Sequence, residues 1–232
     1  MIGIICAMKE ELEEILTLAK ETQEETYGSF RFIRGNIFGS SCVLCICGVG
    51  KVHSAMCTQT LIIKYNPDFI INVGVAGGIA PEIEIGDIAV ARGLVQHDFD
   101  ISSFPNRKKG EIAGINSVEI QTTKWITDKI LVCSGDISPI RMHTGTILSG
   151  DQFICSPQKL TELRSEFGGI ACEMEAGSIG QVCYVNKKEF GIIRSISDHA
   201  DNSSNIDFDK FIKSSSKNAA IILSNFIKSY QG

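Results

Sequence analysis

Two carboxylates flank one thioether in the run Ile170-Ala171-Cys172-Glu173-Met174-Glu175-Ala176, where an apolar stretch gives way to a helical pattern. Chemistry on a sugar calls for such a pair, with one group moving a proton and another facing positive charge. Extended backbone sends alternate side chains to one side. Glu173 and Glu175 are therefore expected to point together and Met174 opposite, until Ile179, Val182 and Cys183 take up helical spacing. The same residues also read as two surface acids at a helix N-terminus, where the macrodipole favours negative charge.

Three other places carry groups of the right kind. Along the first helical pattern Leu12, Ile15, Leu16 and Ala19 form one stripe, Glu10 and Glu14 lie away from it, and Glu11 sits on its border, able to face a cleft or to join a solvated acidic face. Asn72-Val73-Gly74-Val75-Ala76-Gly77-Gly78 ends an apolar run in glycines, which permit close backbone approach to a ligand or simply make a tight turn. Phe190 to Asp198 reads as a buried strand with Arg194 in its middle and Ser197-Asp198 at its end. That is the place for an acid, or for a paired Arg and a turn-capping Asp.

Other chemistries lack their signatures. The glycine run matches neither G-x-G-x-x-G nor G-x-x-x-x-G-K-[ST], so no nucleotide cofactor is expected. His53, His97, His143 and His199 show no metal-ligand spacing, and no metal is expected. Acyl transfer has no G-x-S-x-G or recognisable nucleophilic Cys. Cys42 and Cys45 make a formal C-x-x-C, but on a strand they face opposite sides of a sheet. The nine cysteines sit mainly in apolar runs and fit free thiols in a reducing compartment.

The elements that must position these groups are near-continuous apolar strands at Ile2 to Ala7, Cys42 to Cys47, Phe69 to Val73, Ile88 to Val90, Gly145 to Ser149 and Phe190 to Ile196. Helical patterns lie between several of them and at Val52 to Lys64, Lys124 to Val132 and Phe208 to Tyr230. This alternation predicts an α/β fold, three layers α/β/α with a central mixed, largely parallel twisted sheet, and ligands beyond the carboxyl ends of strands. The most loop-like stretch, Ser102 to Ser117, is expected to have a tip that is mobile or held by a partner.

With 232 residues, 44% of them hydrophobic, the chain is expected to form a single domain over 1–232. A net charge of −5 with scattered Lys and Arg argues against nucleic-acid and polybasic membrane surfaces. With no leader-like start and no spanning apolar run, cytoplasmic residence is expected.

With Ile2-Gly3-Ile4-Ile5-Cys6-Ala7-Met8 leading to Glu11, then Gly48-Val49-Gly50-Lys51, Asn72 to Gly78, Ser149-Gly150-Asp151, Glu173-Met174-Glu175 and Arg194-Ser195-Ile196-Ser197-Asp198 in order, the chain resembles bacterial 5′-methylthioadenosine/S-adenosylhomocysteine nucleosidases almost end to end. The last two motifs are the specific ones; the glycine motif belongs to the wider nucleoside phosphorylase superfamily. The resemblance implies a homodimer of nucleoside phosphorylase-like α/β/α domains that hydrolyses the bond between adenine and a 5′-thio-substituted ribose, without a cofactor and with water as nucleophile, in methionine salvage. By motif, Asp198 would give its proton to adenine N7 with Ser197 orienting it, and Glu11 would activate the water with help from Arg194. Glu173 and Glu175 would hold the ribose hydroxyls. Met8 and Met174 would line the ribose, Phe153 would stack on adenine, and Ile154 would offer it backbone hydrogen bonds. Ala76 and Gly77 would also touch substrate, and Phe208 and Phe104 would cover the thioalkyl end. The Val49 and Phe104 to Ala113 regions would lie near the subunit contact, the partner contributing to the 5′ pocket.

Loss of adenine leaves an oxocarbenium-like sugar and a basic purine anion, so these roles require Asp198 to stay protonated near neutral pH, its pKa raised by burial or hydrogen bonding. Two features depart from the family. Val75 stands where many relatives carry Ser, and the loop from Arg107 to Gly114 lacks the usual Gly-Gln-x-Pro-Gly character. The motifs read adenine and ribose and do not rank methylthioadenosine, S-adenosylhomocysteine, 5′-deoxyadenosine or aminodeoxyfutalosine. Two rivals are a phosphorylase of the same fold, which would need cationic groups for phosphate, and a binding protein that kept the fold without the chemistry.

Overall fold

Alternation within the apolar strands sorts side chains onto two faces. In β1 (Ile2–Cys6), Ile2, Ile4 and Cys6 join one buried cluster and Ile5 the other; in β4 (Ser40–Ile46), Cys42 and Leu44 oppose Val43 and Cys45. The computed structural model describes residues 1–133 and 140–230. Over the first face lie α1 (Lys9–Leu16), α3 (Lys124–Val132) and α6 (Ser204–Tyr230), through Leu12, Ile15, Ile126, Ile130, Leu223 and Phe226. Over the second lie α2 (Lys51–Tyr65) and α5 (Ala176–Val185), through Cys57, Leu61, Ile179 and Cys183. A smaller cluster beneath α4 (Pro157–Phe167) joins Leu163 to Leu148, Ile154 and Cys172.

The remaining strands are β2 (Lys20–Tyr27), β3 (Phe30–Ile37), β5 (Phe69–Gly78), β6 (Ile88–Gln96), β7 (Glu119–Gln121), β8 (Met142–Ser149), β9 (Ala171–Glu173) and β10 (Glu189–Asp198). The sheet runs β10-β6-β8-β9-β5-β1-β4-β3-β2, with β7 on β6 and a further pairing of β10 with β5. That last pairing bends part of the sheet into a closed ring, helped by register shifts between Ala91 and Gly93 and between Ile196 and Asp198. The pairings of β1 with β4 and β5, of β5 with β10 and of β8 with β6 and β9 are parallel. Antiparallel pairs join the edges and close the ring.

Several elements lie outside the sequence expectation. β2, Lys-Glu-Thr-Gln-Glu-Glu-Thr-Tyr, is exposed or half-buried throughout and has no apolar face to show; its charges suit an edge strand. α4 carries only one buried side chain, Leu163, and is marked instead by its ends, Ser156 and Pro157 at the start and Gly168 at φ 63° at the close. Within the 102–117 loop Arg107 reaches Glu111 and Asn116, and Lys109 ties the loop to Glu162 and Glu166 of α4.

Candidate active site

The C-terminal ends of β1, β5, β8, β9 and β10 meet at one cavity of about 650 Å³, a size that suits a small ligand. It is lined by Met8, Glu11, Ala76, Gly77, Phe153, Ile154, Glu173, Met174, Glu175, Ser197, Asp198 and Phe208, all singled out from the sequence. Val49, Val75, Gln152, Cys172, Asn205 and Asp209 line it as well. Gln152, Cys172, Asn205 and Asp209 carry no signal in the sequence that separates them from ordinary loop or core positions.

Glu11 is 3% exposed and turns back over the start of its own helix. Its Oε2 accepts from the backbone N–H groups of Ala7 at 2.7 Å and Met8 at 3.0 Å, and its Oε1 from Val75 at 3.0 Å. Burial raises its pKa, opposed by Arg194 and by these N–H donors. Gly74 makes room for it, since a Cβ there would collide with the carboxylate.

Asp198, at the end of β10, has an equally specific seat. Ser197 Oγ donates to Oδ2 at 2.9 Å and the Ala200 N–H to Oδ1 at 2.9 Å, from a turn in which Ala200 takes φ 54°. That left-handed backbone is uncommon outside glycine and is held here by its surroundings. Burial is the largest influence on Asp198 and raises its pKa, although the hydrogen bonds act the other way. A Cβ on Gly77 would stand 2.8 Å from Asp198 Oδ1. The glycines at 74 and 77 thus admit the two acids.

The extended run ends at Glu173, and Met174 and Glu175 bend into α5. The two acids consequently differ in role. Glu173 Oε1 accepts from Ser149 Oγ, and Oε2 accepts from the N–H groups of Glu175 and Ala176 at 3.0 and 2.8 Å and from Arg194 Nη2 at 2.7 Å. Four donors thus surround its carboxylate. Glu175 Oε1 accepts from the Gly50 N–H at 2.8 Å. Burial first, and then the neighbouring Glu173, push its pKa up to about 8.

Arg194 is 1% exposed and does not line the cavity. Its Nη2 also donates to Asn72 Oδ1, so the guanidinium is hydrogen-bonded to Glu173 and Asn72, and it acts on Glu11 through charge alone. Burial opposes its charge, but Glu173, Glu11 and Glu175 hold it protonated. Phe104 is 67% exposed and lies outside this chain's cavity, unlike Phe208, which meets Phe153 edge to face at 5.8 Å. Among the described residues no Lys, Arg or His lines the cavity.

Comparison with known proteins places this geometry. The model of the phosphorylase superfamily matches residues 1–228. A 5′-methylthioadenosine/S-adenosylhomocysteine nucleosidase of Shewanella loihica is 33% identical over 98% of both chains. A nucleosidase of the same name from Neisseria meningitidis, solved with methylthio-immucillin-A, superposes with a TM-score of 0.95 at 29% identity over 98% of both chains. The futalosine hydrolase of Helicobacter pylori superposes with a TM-score of 0.93 at 32% identity, over 98% of this chain and 97% of that one. The chain belongs to the phosphorylase superfamily and, within it, to the 5′-methylthioadenosine/S-adenosylhomocysteine nucleosidases.

Proposed function

We propose that this protein hydrolyses the N-glycosidic bond of 5′-methylthioadenosine and S-adenosylhomocysteine, and of 5′-deoxyadenosine, releasing adenine and the 5-substituted ribose. The observation that carries hydrolysis over phosphorolysis is the charge of the cavity. Glu11, Glu173, Glu175 and Asp198 line it, no cationic side chain does so among the described residues, and Arg194 is already bound to Glu173 and Asn72. A phosphate dianion entering there would find no free guanidinium or ammonium group to pair with, whereas water needs only the acceptor that Glu11 supplies.

In this reading Asp198, its pKa raised by burial, gives its proton to adenine N7 as the glycosidic bond breaks, and Ser197 fixes the carboxyl. Glu11 takes a proton from the attacking water. Its raised pKa makes it a stronger base, and the Ala7, Met8 and Val75 N–H groups hold it in place. Glu175 holds a ribose hydroxyl through the oxygen not engaged by Gly50. Glu173, its oxygens occupied, supports Glu175 and Arg194 in place of the direct ribose contact expected from the motif. Phe153 and Ile154 receive adenine, and Met8, Met174 and Phe208 receive ribose and the thioalkyl group. Val75 offers no hydroxyl. That the Helicobacter pylori neighbour is named a futalosine hydrolase keeps the 5′ substituent a matter for measurement.

The working unit in this reading is a homodimer of single domains in the cytoplasm, each completing the other's 5′ pocket. The exposure of Phe104, and of Val49 at the cavity edge, supports the dimer. Among the described residues no helix is long and apolar enough to cross a membrane. The deciding experiment is adenine release from methylthioadenosine, with and without phosphate, in wild type, Glu11→Gln and Asp198→Asn. Release should be independent of phosphate and fall by about 10²–10⁴ in either variant. Dependence on phosphate would make the protein a phosphorylase, and no release would leave a binder. In a pH–rate profile the alkaline limb should belong to Asp198 and be missing from Asp198→Asn.

A further inference from the structure

β6 ends at Gln96, and the next two residues reach across to the loop that follows β8. The His97 N–H donates to Ser149 O at 3.0 Å. The His97 ring is buried, neither of its nitrogens has a hydrogen-bond partner among the described residues, and it packs so closely on Gly150 that a Cβ there would collide with it. Asp98 accepts from Lys51 Nζ at 2.5 Å and from the Asp151 N–H at 2.8 Å. Asp151 Oδ1 in turn accepts from the Lys51 N–H at 2.8 Å, in the first turn of α2.

The preceding N–H of that turn, from Gly50, is the one bound to Glu175. Two consecutive free N–H groups at the start of α2 are therefore divided between a cavity carboxylate and a loop carboxylate, and the Lys51–Asp98 pair joins the two. Lys51 and Asp98 side chains are 17% and 18% exposed, so solvent screens them less than a surface pair. Although burial opposes its charge, Lys51 and the Asp151 N–H hold Asp98 below the usual carboxylate range. Neither Lys51, Asp98 nor Asp151 lines the cavity, but their neighbours in the chain reach it: Phe153 and Ile154 follow Asp151, and the Gly50 N–H just before Lys51 donates to Glu175.

We propose that Asp98 is a positioning residue for substrate binding, which keeps the Phe153–Ile154 loop at a fixed distance from Glu175 through Lys51 and Asp151. A rigid clasp at this point sets the separation between the base platform and the carboxylate that faces the ribose, and small misplacements of such groups weaken binding out of proportion to their size. The inference rests on the nucleosidase reading, so wild-type enzyme is first required to release adenine without phosphate. Failure at that step would concern the reaction and not the clasp.

Steady-state kinetics with methylthioadenosine, and inhibition by free adenine, then compare wild type, Asp98→Ala, Asp98→Asn, Lys51→Met and the Asp98→Asn/Lys51→Met double variant, each checked by thermal unfolding. Asp98→Ala should raise KM and the adenine inhibition constant together by about 10-fold, with kcat falling less than KM rises. Asp98→Asn keeps an acceptor for the Asp151 N–H but leaves Lys51 without its counter-charge. It should also raise KM, and the added Lys51→Met change should raise it little further, because both substitutions remove the same link. An unchanged KM and adenine inhibition in Asp98→Ala, or additive losses in the double variant, would overturn the proposal. If Asp98→Ala does not fold, Asp98→Asn and the double variant decide by the same two readouts.

Discussion

Arg194 and Glu173 form a buried ion pair, Nη2 to Oε2 at 2.7 Å, with side chains 2% and 3% exposed. Their elements lie on opposite sides of β5 in the sheet, so this contact ties β9 to β10 across the floor of the cavity. Asn72 of β5 completes the link by accepting from Arg194 and donating to Ile5 O of β1 at 2.9 Å.

Removing one member of a buried pair strands the other. Glu173→Ala is expected to cost about 3–5 kcal/mol of stability, read as a lower urea midpoint. Glu173→Gln keeps one acceptor oxygen for the α5 backbone N–H groups and Arg194, with its amide NH2 turned to Ser149 Oγ, and should cost less than half of that. Equal losses in the two variants would mean that charge neutralisation of Arg194, and not the hydrogen-bond hub, is what Glu173 contributes.

Glu175 should make the protein less stable as pH rises. Its carboxyl titrates near 8 in the fold and at an ordinary Glu value, about 4.3, when unfolded. Between those values the folded state binds more protons, so this group's contribution to stability is full below the unfolded pKa and is lost as pH climbs through 8. Glu175→Gln removes the loss. Its melting temperature relative to wild type should therefore increase from pH 5 to about pH 8 and level off above it, and the variant should be less active than wild type. A difference that does not change with pH would show that Glu175 titrates normally.

How much of this was legible beforehand depends on where the information lies. The carboxylates at 11, 173, 175 and 198 stand at the ends of apolar runs, and the strand-end rule brings them to one place. Their unequal roles were not legible. Glu173 and Glu175 look alike in sequence, and only the bend at Met174 gives one to Arg194 and the other to Gly50. Arg194 is expected to help Glu11, and it acts on Glu11 through its charge, while its hydrogen bonds go to Glu173 and Asn72, a division that the motif alone does not show. β2 was missed because an exposed edge strand needs no apolar alternation, and the clasp at Asp98 because it joins residues 47 and 53 positions apart.

Gly74 gives a test of why the glycine motif exists. A Cβ at this position meets the Glu11 carboxylate and not a ligand, so Gly74→Ala should lower kcat by about 10²-fold, near the lower end of what a displaced general base loses. In a Glu11→Gln background the same change should add little, because both act on one group. Full additivity would indicate that Gly74 serves the substrate or the strand instead.

Phe104 tests whether the 5′ pocket is completed by a second subunit. It is 67% exposed and absent from its own chain's cavity, so Phe104→Ala should raise KM for methylthioadenosine while leaving inhibition by free adenine near wild type. The stronger experiment is complementation. A Phe104→Ala subunit retains its own Asp198, and an Asp198→Asn subunit retains a Phe104 to lend. Random reassortment of equal amounts makes half of the dimers mixed, each with one complete site, so the mixture should recover about a quarter of wild-type activity at low substrate. Phe104 acting within its own chain would instead leave the mixture at the average of the two parents, because no exchange of subunits could then bring an intact Asp198 and an intact Phe104 to the same site.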